Sequence, residues 1–204
     1  MRILVACEFS GIVRDAFATR RHDAWSCDLL PTEKPGQHIQ GDVLEHLDDG
    51  WDLMIAHPPC TFLCNSGVKH LYVAGNKRNG KETRRWRDMG DAAIFFISLL
   101  DARIDRIAIE NPVMHGYGMQ LIGERPNQTF HPWQFWDGEP GQGEVKRTCL
   151  WLKNLPPLEP TTPDETGRIA RVHKESPGPN RWKNRSRTYQ GIADAMAEQW
   201  GGYA

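Results

Sequence analysis

Hydrophobic and polar positions along the chain fall into short apolar runs separated by polar, glycine-rich or proline-rich punctuation. Arg2–Cys7 is apolar and β-branched enough to predict a buried strand. Gly11–Arg21 follows with helical spacing through Ile12, Ala16 and Thr19. Ala24–Asp28 predicts a second short strand, ending on an acid. Asp52–His57 (DLMIAH) predicts another, broken by Pro58–Pro59, where helix and central strand are both disfavoured. Asp88–Asp101 reads as a buried helix through Ala92, Phe95, Phe96, Leu99 and Leu100. Arg106–Glu110 predicts a strand that again ends on an acid and is stopped by Asn111–Pro112. Thr148–Leu152 is a further strand, and Gly191–Trp200 a short amphipathic helix.

Short apolar strands alternating with helices predict an α/β fold, a doubly wound, mainly parallel sheet covered on both faces. In such sheets ligands collect beyond the carboxyl ends of the strands. Four polar strand tails are therefore expected to converge on one crevice: Glu8-Phe9-Ser10-Gly11, Asp28, His57-Pro58-Pro59-Cys60 and Glu110-Asn111-Pro112.

Composition narrows the class. With 204 residues, 25% charged and 39% hydrophobic, the chain suits a single domain with a buried core. No apolar run approaches the roughly 20 residues that cross a bilayer, and the brief N-terminal apolar stretch before Glu8 predicts no secretory signal. Five cysteines at scattered spacing predict reduced thiols and a cytoplasmic location, with no membrane partner. The net charge of −1 hides local asymmetry. Lys69–Arg87 carries seven Lys/Arg against one acid, and Arg168–Arg187 again seven against one. Basic, Gly/Asn-rich segments of this kind are either solvated loops or contacts for nucleic-acid phosphates, and Lys69, Arg84, Arg85, Arg87, Arg185 and Arg187 are the candidate contacts. Asn65–Arg87 has a poor helical period and predicts a mobile loop.

Cys60 follows a rigid Pro-Pro corner directly after a strand, where its sulfur can be held at a fixed angle. Acting as a nucleophile requires thiolate character, from a positive or hydrogen-bonding environment. A capping core residue is the plainer alternative, and His57, Cys60, Cys64 and His70 as a zinc set is another. Glu110, partly desolvated at a strand end, is expected to have a raised pKa and to exchange a proton near neutrality. Asp28 and Asp42 are short acids after hydrophobic segments, a position that often binds ribose hydroxyls or an adenine amino group.

Taken in order, EFSG (8–11), CD (27–28), GD (41–42), HPPC (57–60), IENP (109–112) and VKRT (145–148) resemble the ordered motifs of the C5-cytosine DNA methyltransferase family, in a compact phage or bacterial form. RSRTYQGIADAMAEQW (185–200) is similar to the family's last motif, whose helix packs beside the cofactor loop. In place of the family's glycines, Ile12, Val13 and Arg14 follow Gly11. Only Lys153–Asn184, basic and Pro-rich, stands where the family carries a large target-recognition domain, so the whole chain, 1–204, is expected to be one catalytic domain with a short insert at 153–184.

The resemblance implies a fold of the S-adenosylmethionine-dependent methyltransferase (Rossmann-like) type, with S-adenosylmethionine as cofactor and cytosine in DNA as substrate. Phe9, Ser10, Gly11 and Pro58 would line the cofactor site, Asp28 would take the ribose and Asp42 the adenine. Cys60 would add to C6 of the base, Glu110 would hold and protonate the ring nitrogen, and Arg147 would sit beside the base. A duplex cytosine would first be flipped out, at a cost of a few kcal/mol. The same chemistry on RNA or a free nucleotide, and a non-catalytic nucleic-acid-binding module with or without zinc, are the competing functions.

Overall fold

A computed structural model of the chain describes residues 1–136, 138, 143–162 and 168–202. Along it run β1 (Arg2–Ala6), α1 (Ile12–Ala18), β2 (Asp23–Asp28), β3 (His38–Gln40), β4 (Leu53–Ala56), α2 (Thr83–Leu100), β5 (Arg106–Pro112), α3 (Gly116–Ile122), β6 (Gln128–Phe130), β7 (Gly143–Glu144), β8 (Thr148–Lys153), β9 (Arg168–Ile169), α4 (Arg171–Lys174), α5 (Arg181–Ser186) and α6 (Gln190–Gly201). Alternation along the central strands sorts their side chains onto two faces. Leu4, Ala6, Met54, Ala56, Ile107 and Ile109 pack with Met89, Phe96 and Leu99 of α2 and Ile122 of α3. Ile3, Val5, Leu53, Ile55 and Ala108 pack with Phe17 of α1 and Met196 and Trp200 of α6. Each fully buried Ile or Leu contributes about 1.5–3 kcal/mol, so burial on both faces fixes the frame on which the polar residues are aimed.

Seven strands form one sheet in the order β3-β2-β1-β4-β5-β8-β6. β3, β2, β1, β4 and β5 are parallel, and β8 lies antiparallel between β5 and β6. This is the doubly wound, mainly parallel α/β sheet that the alternation of strands and helices predicts. The chain winds outward from β1 through β2 to β3, then returns to the far side of β1 with β4. The topological switch point therefore lies between the carboxyl ends of β1 and β4.

Several expectations shift. β5 continues through Asn111–Pro112, past the stop predicted at Glu110. Its parallel ladder with β4 ends at Ile109, and Pro112 occupies the last antiparallel pair, opposite Thr148, where a missing N–H costs little. The predicted loop 65–87 contains short 3-10 turns at Asn65–Leu71, Val73–Gly75 and Lys77–Asn79, and α2 starts at Thr83, so Arg84, Arg85 and Arg87 are helical. The predicted start at Asp88 lies five residues, more than one turn, after the observed start at Thr83. The described part of 153–184 holds β9, α4 and the start of α5; residues 163–167 of that insert lie outside the described residues. Among the described residues no helix is long and apolar enough to cross a membrane.

Candidate active site

After β1 the backbone turns left-handed at Cys7 (φ 58°), a conformation that a residue with a side chain adopts at a cost and that clusters at functional sites. The next residue, Glu8, points inward. Its Oε1 accepts from the Val13 amide at 2.7 Å and the Ser10 hydroxyl at 3.1 Å, and its Oε2 from the Arg14 amide at 3.2 Å. A buried carboxylate thus satisfies the unpaired amides that open α1. Gly11 (φ 71°) supplies the tight turn between them, and a Cβ there would stand 2.5 Å from Arg14 Nη2. The buried Arg14 guanidinium bonds Asp15, Ser26 and Thr32 and the carbonyls of Lys34 and Pro35. The loop is therefore shaped by one arginine where the resembling family uses glycines.

Cys7, Glu8, Phe9, Ser10 and His57 line a pocket of about 40 Å³ at the switch point, roofed by Ser186, Arg187 and Thr188. Asp28 ends β2 at the same sheet edge. It is half-buried, with Oδ1 accepting from the Leu30 amide at 2.9 Å; burial raises its pKa against the pull of its backbone bonds and His38. Asp42 is exposed and caps the turn Val43–His46 through the Leu44 amide at 3.0 Å.

Beyond β4, the His57-Pro58-Pro59-Cys60 corner is gripped from three sides. Asn111 Nδ2 donates to the buried Pro58 carbonyl at 2.9 Å. His115 accepts from the Gly118 amide at Nδ1, so its Nε2–H donates to the Phe62 carbonyl, both at 3.0 Å. Arg85 Nη2 donates to the Thr61 carbonyl at 2.6 Å, with the guanidinium 4.2 Å over the Phe62 ring. None of these three positioning roles was visible in the sequence, because each partner is a backbone carbonyl or ring distant along the chain.

Cys60 is half-buried, its thiol turned toward Cys64, whose amide donates to the Cys60 carbonyl at 2.9 Å. Donation to the Cys64 sulfur, then burial and the Glu110 charge, push the Cys60 thiol up, while Lys146 opposes them. The same bond, with help from the Ser66 hydroxyl at 3.0 Å, pulls Cys64 down.

Glu110 Oε2 meets His57 Nδ1 at 3.1 Å, with the side chains 13% and 8% exposed. Burial raises the Glu110 carboxyl, but the His57 hydrogen bond and the Lys146 charge outweigh it and leave the group below its ordinary value. The expected raised pKa is thereby corrected: an adjacent donor and a cation override desolvation. Among the described residues, Glu110 Oε1 and His57 Nε2 are buried without hydrogen-bond partners.

A second, smaller pocket is lined by Glu110, Pro132, Lys146, Thr148, Arg187, Thr188, Tyr189 and Ile192, adjoining the first through Arg187 and Thr188. Antiparallel β8 brings the residues before Thr148 over the carboxyl end of β5. Lys146 falls on the Glu110 side with Thr148, whereas Arg147 is exposed and acts on His131 and Cys149. Lys146 is thus a site cation that motif matching did not single out.

Of the proposed phosphate contacts, Lys69, Arg84 and Arg87 are exposed. Arg85 is committed to Thr61, and Arg187 to Glu33 by two bonds of 2.7 and 3.0 Å. Arg185 is half-buried, and its carbonyl accepts from Lys146 Nζ at 3.2 Å. His57, Cys60, Cys64 and His70 do not gather into a metal-holding group; among the described residues no such cluster occurs.

No known family profile and no curated protein sequence matches the chain. Among solved structures, it is similar to an Escherichia coli protein provisionally described as a DNA modification methyltransferase encoded within a prophage, with 13% identity and a TM-score of 0.46. The match covers 81% of this chain and 52% of that one, so the chain spans about half the length of the structure it matches.

Proposed function

We propose that the chain transfers a methyl group from S-adenosylmethionine to C5 of cytosine in DNA, through a covalent bond between Cys60 and C6 of the base. One observation carries this reading: the loop after β1 and His57, three residues before Cys60, line one pocket at the switch point of the sheet, and Glu110 and Lys146 line a second that adjoins it.

The residues present suit the cofactor. Phe9 and Ser10 line the first pocket and, with Gly11 and Pro58, would hold its amino-acid end; Asp28 would offer a carboxylate to the ribose and Asp42 one to the adenine. His57 lines the same pocket as Phe9 and Ser10, and its Nε2 is buried without a hydrogen-bond partner among the described residues. When bound, S-adenosylmethionine supplies an electrophilic methyl group. The chain does the rest. Passage of the Cys60 proton to Cys64, the thiol held low, frees the Cys60 sulfur to add to C6. Glu110, already ionised, accepts the amino hydrogen of the base with its free Oε1, and Lys146 supplies the positive field for charge developing on the ring. Lys69, Arg84 and Arg87 carry the phosphate contacts.

Transfer of a tritiated methyl group to DNA, RNA and dCMP, offered in parallel, tests the reading. The expected result is label in DNA, recovered as 5-methylcytosine. Label confined to RNA or dCMP would move the substrate, and an N-methylated base would remove the Cys60 route.

A further inference from the structure

Methylation at C5 through a Cys60 adduct ends with loss of the C5 proton, a step for which the roles above provide no base. The groups around the two pockets can be sorted by what they have left to give. Glu8 uses both carboxylate oxygens on the Ser10 hydroxyl and on the amides of Val13 and Arg14. Burial and the Asp28 charge push the Cys7 thiol up. Arg187 and Lys146 are cations, and Glu110 Oε2 is taken by His57. His57 differs from all of these. Its side chain is 8% exposed, and a carboxylate, which can only accept, faces Nδ1 at 3.1 Å. Nδ1 therefore carries a hydrogen, and Nε2 is the ring nitrogen left over, buried and unpartnered among the described residues on a side chain that lines the pocket with Phe9 and Ser10. A base oriented by a third group is the arrangement that nucleophilic and acid–base catalysis requires.

We propose that His57 is the general base that removes the C5 proton, with Glu110 orienting it. This rests on the function proposed above. A methyl donor in the first pocket and a base held by Glu110 in the second would put C5 at their junction, and His57 joins the two sides, lining the first pocket and bonded to Glu110 of the second. In the step, the C5–H proton passes to Nε2 and the C5–H electron pair becomes the C5=C6 double bond. The C6–S bond breaks, and its pair leaves on the Cys60 sulfur. The imidazolium is stabilised by the Glu110 carboxylate and returns its proton to the sulfur or to water.

The experiment uses duplex DNA tritiated at C5 of cytosine and S-adenosylmethionine carrying a carbon-14 methyl group, with the wild type, H57Q and H57N, each checked by thermal melting and cofactor affinity. Wild type should release one tritium per methyl incorporated. In a folded variant, methyl incorporation should stop at one per protein while tritium release slows by a factor on the order of 10² or more, and a methylated protein–DNA adduct that survives denaturation should accumulate. Turnover like wild type in either variant would overturn the proposal. Equal slowing of both labels with no adduct would also overturn it, leaving His57 only to position Glu110. If the wild type itself neither methylates DNA nor releases tritium, it is the underlying function that fails.

Discussion

Cys60 and Cys64 lie one turn apart and shift each other in opposite directions, so substituting either should leave a different deficit. Cys60→Ser removes a group that acts only along the reaction path, and should nearly abolish methyl transfer while leaving cofactor affinity within a few-fold. Cys64→Ser removes the sulfur toward which the Cys60 proton is directed. That variant should be slow at neutral pH and recover as pH rises through the ordinary thiol value of about 8.5. A dead Cys64→Ser beside an active Cys60→Ser would make Cys64 the nucleophile. Glu110 has a pH signature of its own. Its folded pKa is depressed, so the stability it contributes as a carboxylate is complete above the ordinary value of 4.5 and is lost as pH falls through the lower folded value. The stability difference between wild type and Glu110→Gln, from denaturant melts, should stay constant down to about pH 5 and change only below that. A change between about pH 6 and 8 would mean that the carboxyl is raised after all.

At the scale of elements, the aim of the Cys60 corner depends on contacts from β5, α2 and α3. Asn111→Ala leaves the buried Pro58 carbonyl without its donor and should cost about 1–3 kcal/mol, read as a fall in Tm of about 2–4 °C per kcal/mol for a chain this size. An unchanged Tm would show that the corner holds itself. Arg84 and Arg87 are exposed on the first turns of α2, where the helix dipole disfavours cations, whereas Arg85 is tied to Thr61. Arg84→Ala with Arg87→Ala should therefore weaken DNA binding and reduce the salt slope by about two units. A wild-type slope would make them a solvated face. The strands that bear the site were legible because Ile3–Ala6, Leu53–Ala56 and Ile107–Ile109 are buried on both faces and read as unbroken apolar runs. β3 and β6 were not, since three residues cannot show a period. The first turn of α2 was hidden because Thr83 and Arg84 face water and Arg85 is held by the distant Thr61 carbonyl.

Across the whole molecule, the sheet order places β1 and β4 side by side with the chain reversing between them, and this brings Cys7–Gly11, His57–Cys60 and Glu110 together from segments far apart in sequence. The convergence of strand tails could be read from the sequence. The pairing of His57 with Glu110, the choice of Lys146 over Arg147 and the Arg187–Glu33 bridge beside the pocket could not, because each depends on side-chain direction across elements. The central claim is a covalent Cys60 adduct, and duplex DNA carrying 5-fluorocytosine tests it most directly, because fluorine at C5 cannot leave as the proton does. With S-adenosylmethionine present, the wild type should form a one-to-one protein–DNA complex that survives denaturation, and Cys60→Ser should form none. Methyl transfer to cytosine with no such complex, or a complex that persists in Cys60→Ser, would contradict the account.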